Sequence, residues 1–169
     1  MNFAVTIVSP PGYIHAAAFA EVAESLVIGL GRLGHDALAT TEGRLHGRRH
    51  IVLGANLLPR YPLPLADDAI LYNLEQADAA STWMRPELVE LYRRHTVWDY
   101  SARNSAVLRG RGIEPAALLP IGYVDALTRI AHAVEPDIDV LFVGSLNARR
   151  QAILERMRSL GLRVHAAFG

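Results

Sequence analysis

The sequence predicts an open, parallel α/β sheet of the doubly wound, Rossmann-like kind, and three observations lead there. Short apolar runs at residues 3–8, 50–53, 69–74, 96–100 and 138–143 read as strands buried on both faces. Between several of them, apolar residues recur at spacings of three and four, the period of a helix with one buried stripe. Strand, helix and strand in that order make βαβ units, whose strands pair in parallel.

In chain order, residues 3–8 (FAVTIV) form the first strand, and Ser9-Pro10-Pro11-Gly12 stops it. A helix follows over 16–33, with Phe19, Val22, Leu26, Leu30 and Leu33 on one face and Gly34 just past its end. Residues 35–40 are the second strand, and a polar stretch, 41–49, leads to the third at 50–53. Pro59, Pro62 and Pro64 make 57–65 loop or extended chain. After the fourth strand, 69–74, Pro86 opens a helix over 85–94 where its missing N–H is no loss. The fifth strand is 96–100. Ser101 then caps a helix ending near Gly110 or Gly112, and a short strand, 116–119, runs into Pro120. Beyond a linker at 131–137 the pattern restarts with a strand at 138–143, a turn at Gly144-Ser145-Leu146-Asn147, a helix at 148–160 and a strand at 162–167. The expected organisation is a first domain over 1–137 and the opening β-α-β of a second over 138–169. Some thirty residues cannot cover both faces of their own sheet.

Composition narrows the chemistry. The 169 residues are 51% hydrophobic and 20% charged, ordinary for a globular protein, with seventeen basic and seventeen acidic residues in balance. A zero net charge argues against a broad nucleic-acid-binding face. All seventeen basic residues are arginines, as codon bias in a GC-rich bacterial genome would give, so lysine Schiff-base chemistry and a P-loop lysine are excluded. With no cysteine, thiol nucleophiles and disulfides are excluded too. The N-terminus lacks the basic region of a signal peptide, and no apolar run approaches the ~20 residues of a membrane span, so a cytoplasmic protein without a span is expected. The segment Gly29-Leu30-Gly31-Arg32-Leu33-Gly34 matches G-x-G-x-x-G, but here the glycines close a helix instead of opening one. It is no dinucleotide fingerprint.

In open α/β sheets ligands sit beyond the carboxyl ends of the strands. That rule selects Pro11, Gly12, Tyr13 and His15 after the first strand. His15 is either a general base or an ordinary loop histidine. It also selects Tyr72, Asn73, Glu75 and Gln76 after the fourth strand, suited to a hydroxyl-rich ligand or simply to a polar loop, and Asp99 after the fifth. In the second unit it selects Gly144, Ser145, Asn147, Arg149 and Arg150. Two arginines in a helix's first turn oppose the macrodipole; a bound diphosphate would reverse that, or the side chains splay into water. No H-E-x-x-H, EF-hand or G-x-S-x-G motif is present, so zinc-peptidase, EF-hand calcium-sensor and common hydrolase readings have no support.

The stretches FAVTIVSPPGYIHAAAF, RRHIVLGANLL, AILYNLEQ, WDYSARN, LLPIGYV and IDVLFVGSLNARRQAILERM, in this order, resemble bacterial glycosyltransferases of the GT-B type, in particular family 1, CgeB-like proteins. The resemblance implies two Rossmann-like domains facing across a cleft, with acceptor bound mostly by the first and nucleotide-sugar mostly by the second, and no tightly bound metal or cofactor. It implies that Pro11, Gly12 and His15 face the cleft, that Tyr72, Asn73, Glu75 and Gln76 line the acceptor side, and that Gly144, Ser145 and Arg149 lie near the donor diphosphate. Most of a donor domain would lie beyond Gly169, so the chain alone is expected to transfer sugar poorly. The alternative is a non-catalytic module that binds a partner chain, or itself, through residues 138–169.

Overall fold

The structure is a computed structural model that describes residues 1–78, 81–131 and 133–167. The chain divides into two compact units, Met1–Leu127 and Thr128–Gly169. His132 of the expected linker, and Phe168 and Gly169 at the end of the second unit, lie outside the described residues.

The first unit is a six-stranded parallel sheet flanked by helices, compatible with a Rossmann-like fold. Its elements are β1 (Asn2–Ile7), α1 (Ala20–Arg32), β2 (Asp36–Thr40), β3 (Arg49–Leu53), β4 (Ile70–Asn73), α2 (Pro86–Arg94), β5 (Thr96–Asp99), α3 (Ala102–Gly110) and β6 (Ala117–Leu118). The strand order is β2-β1-β3-β4-β5-β6. Every pairing is parallel, with Phe3 opposite both Ala37 of β2 and Arg49 of β3.

Side-chain alternation sends each strand's residues to opposite faces, and each face has its own core. Val52, Leu71 and Val97 pack with Leu88, Val89 and Tyr92 of α2 and Leu108 of α3. Phe3, Val5, Ile51, Leu53, Ile70 and Tyr72 pack with Ala23 and the flanking Val22, Leu26, Val27 and Leu30 of α1. Helices on both faces follow from right-handed crossovers: the chain leaves β1 for β2 in one direction and proceeds from β3 to β6 in the other. Leu88 and Leu108 are fully buried, so truncating either to alanine removes about 2–5 kcal/mol.

Helix ends follow local rules. Gly34, at φ +80°, closes α1: its N–H donates to Gly31 and that of His35 to Leu30, both at 3.0 Å. The three glycines of the sequence motif therefore do close a helix. Ser101 accepts from the Asn104 N–H at the start of α3, and Pro86 occupies the first turn of α2. One expectation changes at the start of the first helix, where Ile14–Phe19 is a 3-10 turn and the α-helix begins only at Ala20. Tyr13 offers no side-chain acceptor to the first N–H groups, so the entry tightens to i→i+3 bonds. The combined stretch Ile14–Arg32 is 19 residues long with mean hydropathy 1.4, long and apolar enough to cross a bilayer. That differs from the expectation of no such run. Its apolar stripe packs on the sheet.

In the second unit, β7 (Val140–Val143), α4 (Ala148–Ser159) and β8 (Val164–Ala167) form a β-α-β with parallel strands, Val140 opposite Val164. Asp139 and Arg163 tie the two strand starts together, and hydrogen bonding from Arg163 holds the Asp139 carboxyl down to about 2.

Candidate functional site

The strand order places a switch between β1 and β3, because the chain leaves these neighbours in opposite directions. The loops at their carboxyl ends diverge there and leave a crevice. After β1, Pro10 accepts from the Tyr13 N–H at 3.0 Å, with Pro11 and Gly12 (φ +76°) between them. Proline then glycine with positive φ is the signature of a type II turn, and it holds Tyr13 half-buried against the core. After β3, Gly54 turns the chain at φ +79°, and a short 3-10 turn, Ala55–Leu57, presents Asn56.

Two adjoining clefts occupy this edge. One, of about 390 Å³, is walled by Ser9, Pro10, Pro11 and Thr41 on one side and Arg60 to Leu63 on the other. The second, of about 140 Å³, is lined by Tyr13, Asn56, Arg60, Tyr61, Trp83 and Arg85 along with Leu57 and Pro59. Arg60 and Tyr61 border both, with the guanidinium 5.6 Å from the Tyr61 ring centre.

Beneath the carboxyl ends of β4 and β5 lies a buried polar network. The Asn73 amide donates to Asp99 Oδ2 at 2.6 Å and to the Glu75 carbonyl at 3.0 Å. Its Oδ1 accepts from the Tyr92 hydroxyl at 3.0 Å and the Glu75 N–H at 3.2 Å. Asn104 donates to the Glu75 carbonyl and accepts from the Ala77 N–H, and Asp99 also accepts from the Ser101 N–H at 2.8 Å. Burial pushes the Asp99 carboxyl above its ordinary value, against the opposing pull of its hydrogen bonds from Asn73, Ser101 and Asn104. Burial also raises the half-buried Glu75 carboxyl, whose Oε1 accepts from Asn56 at 3.4 Å. Through that contact the network reaches the smaller cleft. A carboxyl raised in this way suits proton transfer nearer neutrality.

The sequence-selected residues are distributed as follows. Pro11 lines the larger cleft and Tyr13 the smaller. His15 is exposed on the 3-10 turn, its ring edge-on to Tyr13 at 5.4 Å, and lines neither cleft. Asn73 and Asp99 are buried in the network, and Glu75 joins it to Asn56. Gln76 borders a separate hollow of about 160 Å³ with Ser101, Arg103 and Asn104. Tyr72 points to the opposite face of the sheet, where its hydroxyl donates to the Leu119 carbonyl at 2.6 Å. Burial, then the nearby Asp99 charge, raises that hydroxyl to about 12. In the second unit, Gly144 (φ +139°) turns the chain and Asn147 accepts from the Arg150 N–H to cap α4. Arg150 folds back to donate to the Ser145 carbonyl at 2.6 Å and lies over the Phe142 ring, while Arg149 is exposed.

Asn56, Arg60, Tyr61, Trp83 and Arg85 are not among the residues selected from the sequence. Applying the strand-end rule to Leu53 points to Asn56. The others reach the cleft only through the proline-rich loop and the approach to α2.

A further groove, of about 340 Å³, lies on the α1 face between Val22, Leu26 and Leu30 of the helix, Tyr72 and Trp98 of the sheet, and Ile121 to Val124. It is apolar and offers a hydrophilic ligand little. No group of three or more His, Cys, Asp or Glu side chains is placed to hold a metal among the described residues. Comparison of the chain with protein-family models, with curated proteins and with solved structures returns no match.

Proposed function

We propose that the chain is the acceptor-side part of a GT-B-type glycosyltransferase, moving a sugar from a nucleotide-sugar to an acceptor hydroxyl. The observation that carries the reading is the crevice at the β1–β3 switch, walled by the rigid Pro10–Tyr13 turn and joined through Asn56 to the Glu75 carboxyl. Aromatic rings and amide groups at such a crevice suit a hydroxyl-rich ligand. In this reading Tyr13, Asn56 and Trp83 hold the acceptor, and Glu75, which Asn56 joins to the recess, removes the proton from the attacking hydroxyl. His15, the base named from the sequence, would have to act from the exposed turn outside both clefts. Gly144, Ser145 and Arg149 stand at the start of a helix, where a diphosphate leaving group is stabilised. Calorimetric titration with UDP and with GDP tests this. Heat is expected with the parent chain and less with Arg149→Ala, whereas no heat with either nucleotide refutes the reading.

A second reading, a module that associates through residues 138–169, has one observation in its favour. Leu141 and Val143 of β7 are 60% and 70% exposed, and Leu154 is the only buried residue of α4. Sedimentation of the parent chain and of Leu141→Asp tests it. A monomeric parent, mixed with no partner, removes self-association.

A further inference from the structure

The two clefts at the β1–β3 switch have a charge that neither the sequence balance nor the acceptor reading requires. Among the described residues no aspartate or glutamate lines either of them, the Glu75 carboxyl standing behind Asn56, yet Arg60 borders both and Arg85 enters the smaller. Elsewhere some arginines pair with carboxylates, among them Arg32 with Asp125, Arg48 with Asp36, Arg109 with Glu114 and Arg163 with Asp139. Others, such as Arg94, Arg103 and Arg158, stand in exposed positions outside these two clefts. Neither Arg60 nor Arg85 forms an ion pair among the described residues. In a molecule of zero net charge, two unneutralised guanidinium groups thus border one small recess.

The rest of that recess is largely aromatic and apolar. Tyr13, Tyr61 and Trp83 come from three different segments, and Asn56 adds an amide. Aromatic faces take the C–H face of a ring, the amide takes hydroxyls, and guanidinium forks take phosphate or carboxylate oxygens. At about 140 Å³ the recess admits one ring, and the adjoining cleft of about 390 Å³ leaves room for what that ring is attached to.

We propose that this recess binds a monosaccharide carrying an anionic group, phosphate or carboxylate, with Arg60 and Arg85 on the anion and the aromatic residues on the ring. The inference rests on the acceptor reading above and deepens it by naming the substrate class. It needs no transfer chemistry to be tested, because binding alone reports it.

The test is calorimetric titration of the full chain with glucose 6-phosphate, glucuronate and unmodified glucose, repeated with Arg60→Gln/Arg85→Gln. Both arginines are exposed, so the double variant keeps the fold, and its melting temperature checks that. The expected result is that one anionic sugar binds at least about tenfold more tightly than glucose, with the preference weakening in salt and vanishing in the double variant. Which anion wins separates the phosphate source from the carboxylate source. Equal binding of glucose, or an anion preference that survives in the double variant, overturns the anionic class and leaves the acceptor reading in place. Absence of binding by all three sugars overturns the recess as a sugar site. A chain that binds the anion as expected but neither UDP nor GDP loses the transferase reading and keeps this one.

Discussion

Replacing Asn73 with leucine probes the buried network most directly. The side chain makes four hydrogen bonds, two as donor and two as acceptor, and is 2% exposed. Its bond to Asp99 Oδ2, at 2.6 Å, is made to a carboxylate, and such bonds contribute about 1.5–3 kcal/mol. Removing the amide also strands the Tyr92 hydroxyl, 1% exposed, at about 1–3 kcal/mol. Asp99 keeps the Ser101 N–H, so the expected total is about 3–5 kcal/mol rather than the full loss of a buried ionic partner. Tyr92→Phe is the control. It deletes the donor itself and leaves Asn73 Oδ1 with the Glu75 N–H, so about 0.5–1.5 kcal/mol is expected.

The effect has a pH signature. Asn73 is one of the groups that pull the Asp99 carboxyl down against its burial. Without it the folded-state value rises further while the unfolded value stays at 3.8, so the folded variant binds more protons than the folded parent. The variant's deficit is therefore largest near neutrality and shrinks as pH falls into the carboxylate range. Urea unfolding followed by tryptophan fluorescence measures it, since Trp83 and Trp98, the two tryptophans of the chain, both lie in the first unit. An Asn73→Leu deficit no larger than that of Tyr92→Phe, or one flat with pH, refutes the reasoning.

Two further outcomes are expected. His50 is fully buried; its Nε2 accepts from the Leu45 N–H at 2.8 Å, so Nδ1 carries the proton and donates to Thr6 Oγ1 at 2.7 Å. Burial holds its pKa below 6.5, so the unfolded chain takes up a proton first. The parent's stability relative to His50→Gln therefore falls as pH drops below 6.5, by at most about 1.4 kcal/mol per pH unit, and a constant difference in urea midpoint between pH 7.5 and 5.5 contradicts this. Gly43 packs so closely under the proline-rich loop that an added Cβ would lie 2.1 Å from the Pro64 carbonyl oxygen and 2.8 Å from Leu63 Cγ. Gly43→Ala should lower stability by about 1–3 kcal/mol and displace the loop that walls both clefts; thermal melting at the parent's temperature would show that the contact is not tight.

The element order and most boundaries are readable from local pattern because each depends on a few neighbouring residues. Pro86 at the start of α2, Ser101 as the cap of α3, and Gly34 after α1 are constraints on backbone dihedrals and end groups that act within one turn. The 3-10 entry at Ile14–Phe19 escaped because periodicity reports which face is apolar, not whether the bonds span three residues or four. The rule that places ligands at strand ends reached Pro11, Tyr13, Asn73, Glu75 and Asp99, but it cannot tell an exposed end from a buried one. Asn73 and Asp99 emerged inside a closed network, and Tyr72, one residue from Asn73, points to the other face. The arginine pair around Tyr13 is beyond any local reading.

The amino-acid sequence by itself determines that this chain builds parallel α/β units and does so without lysine or cysteine chemistry, since periodicity and composition are properties of short windows. The meeting of Tyr13, Asn56, Arg60 and Arg85 in one recess depends on which strand lies beside which. That order is settled by long-range packing of two apolar faces, and so it appears only in the folded molecule.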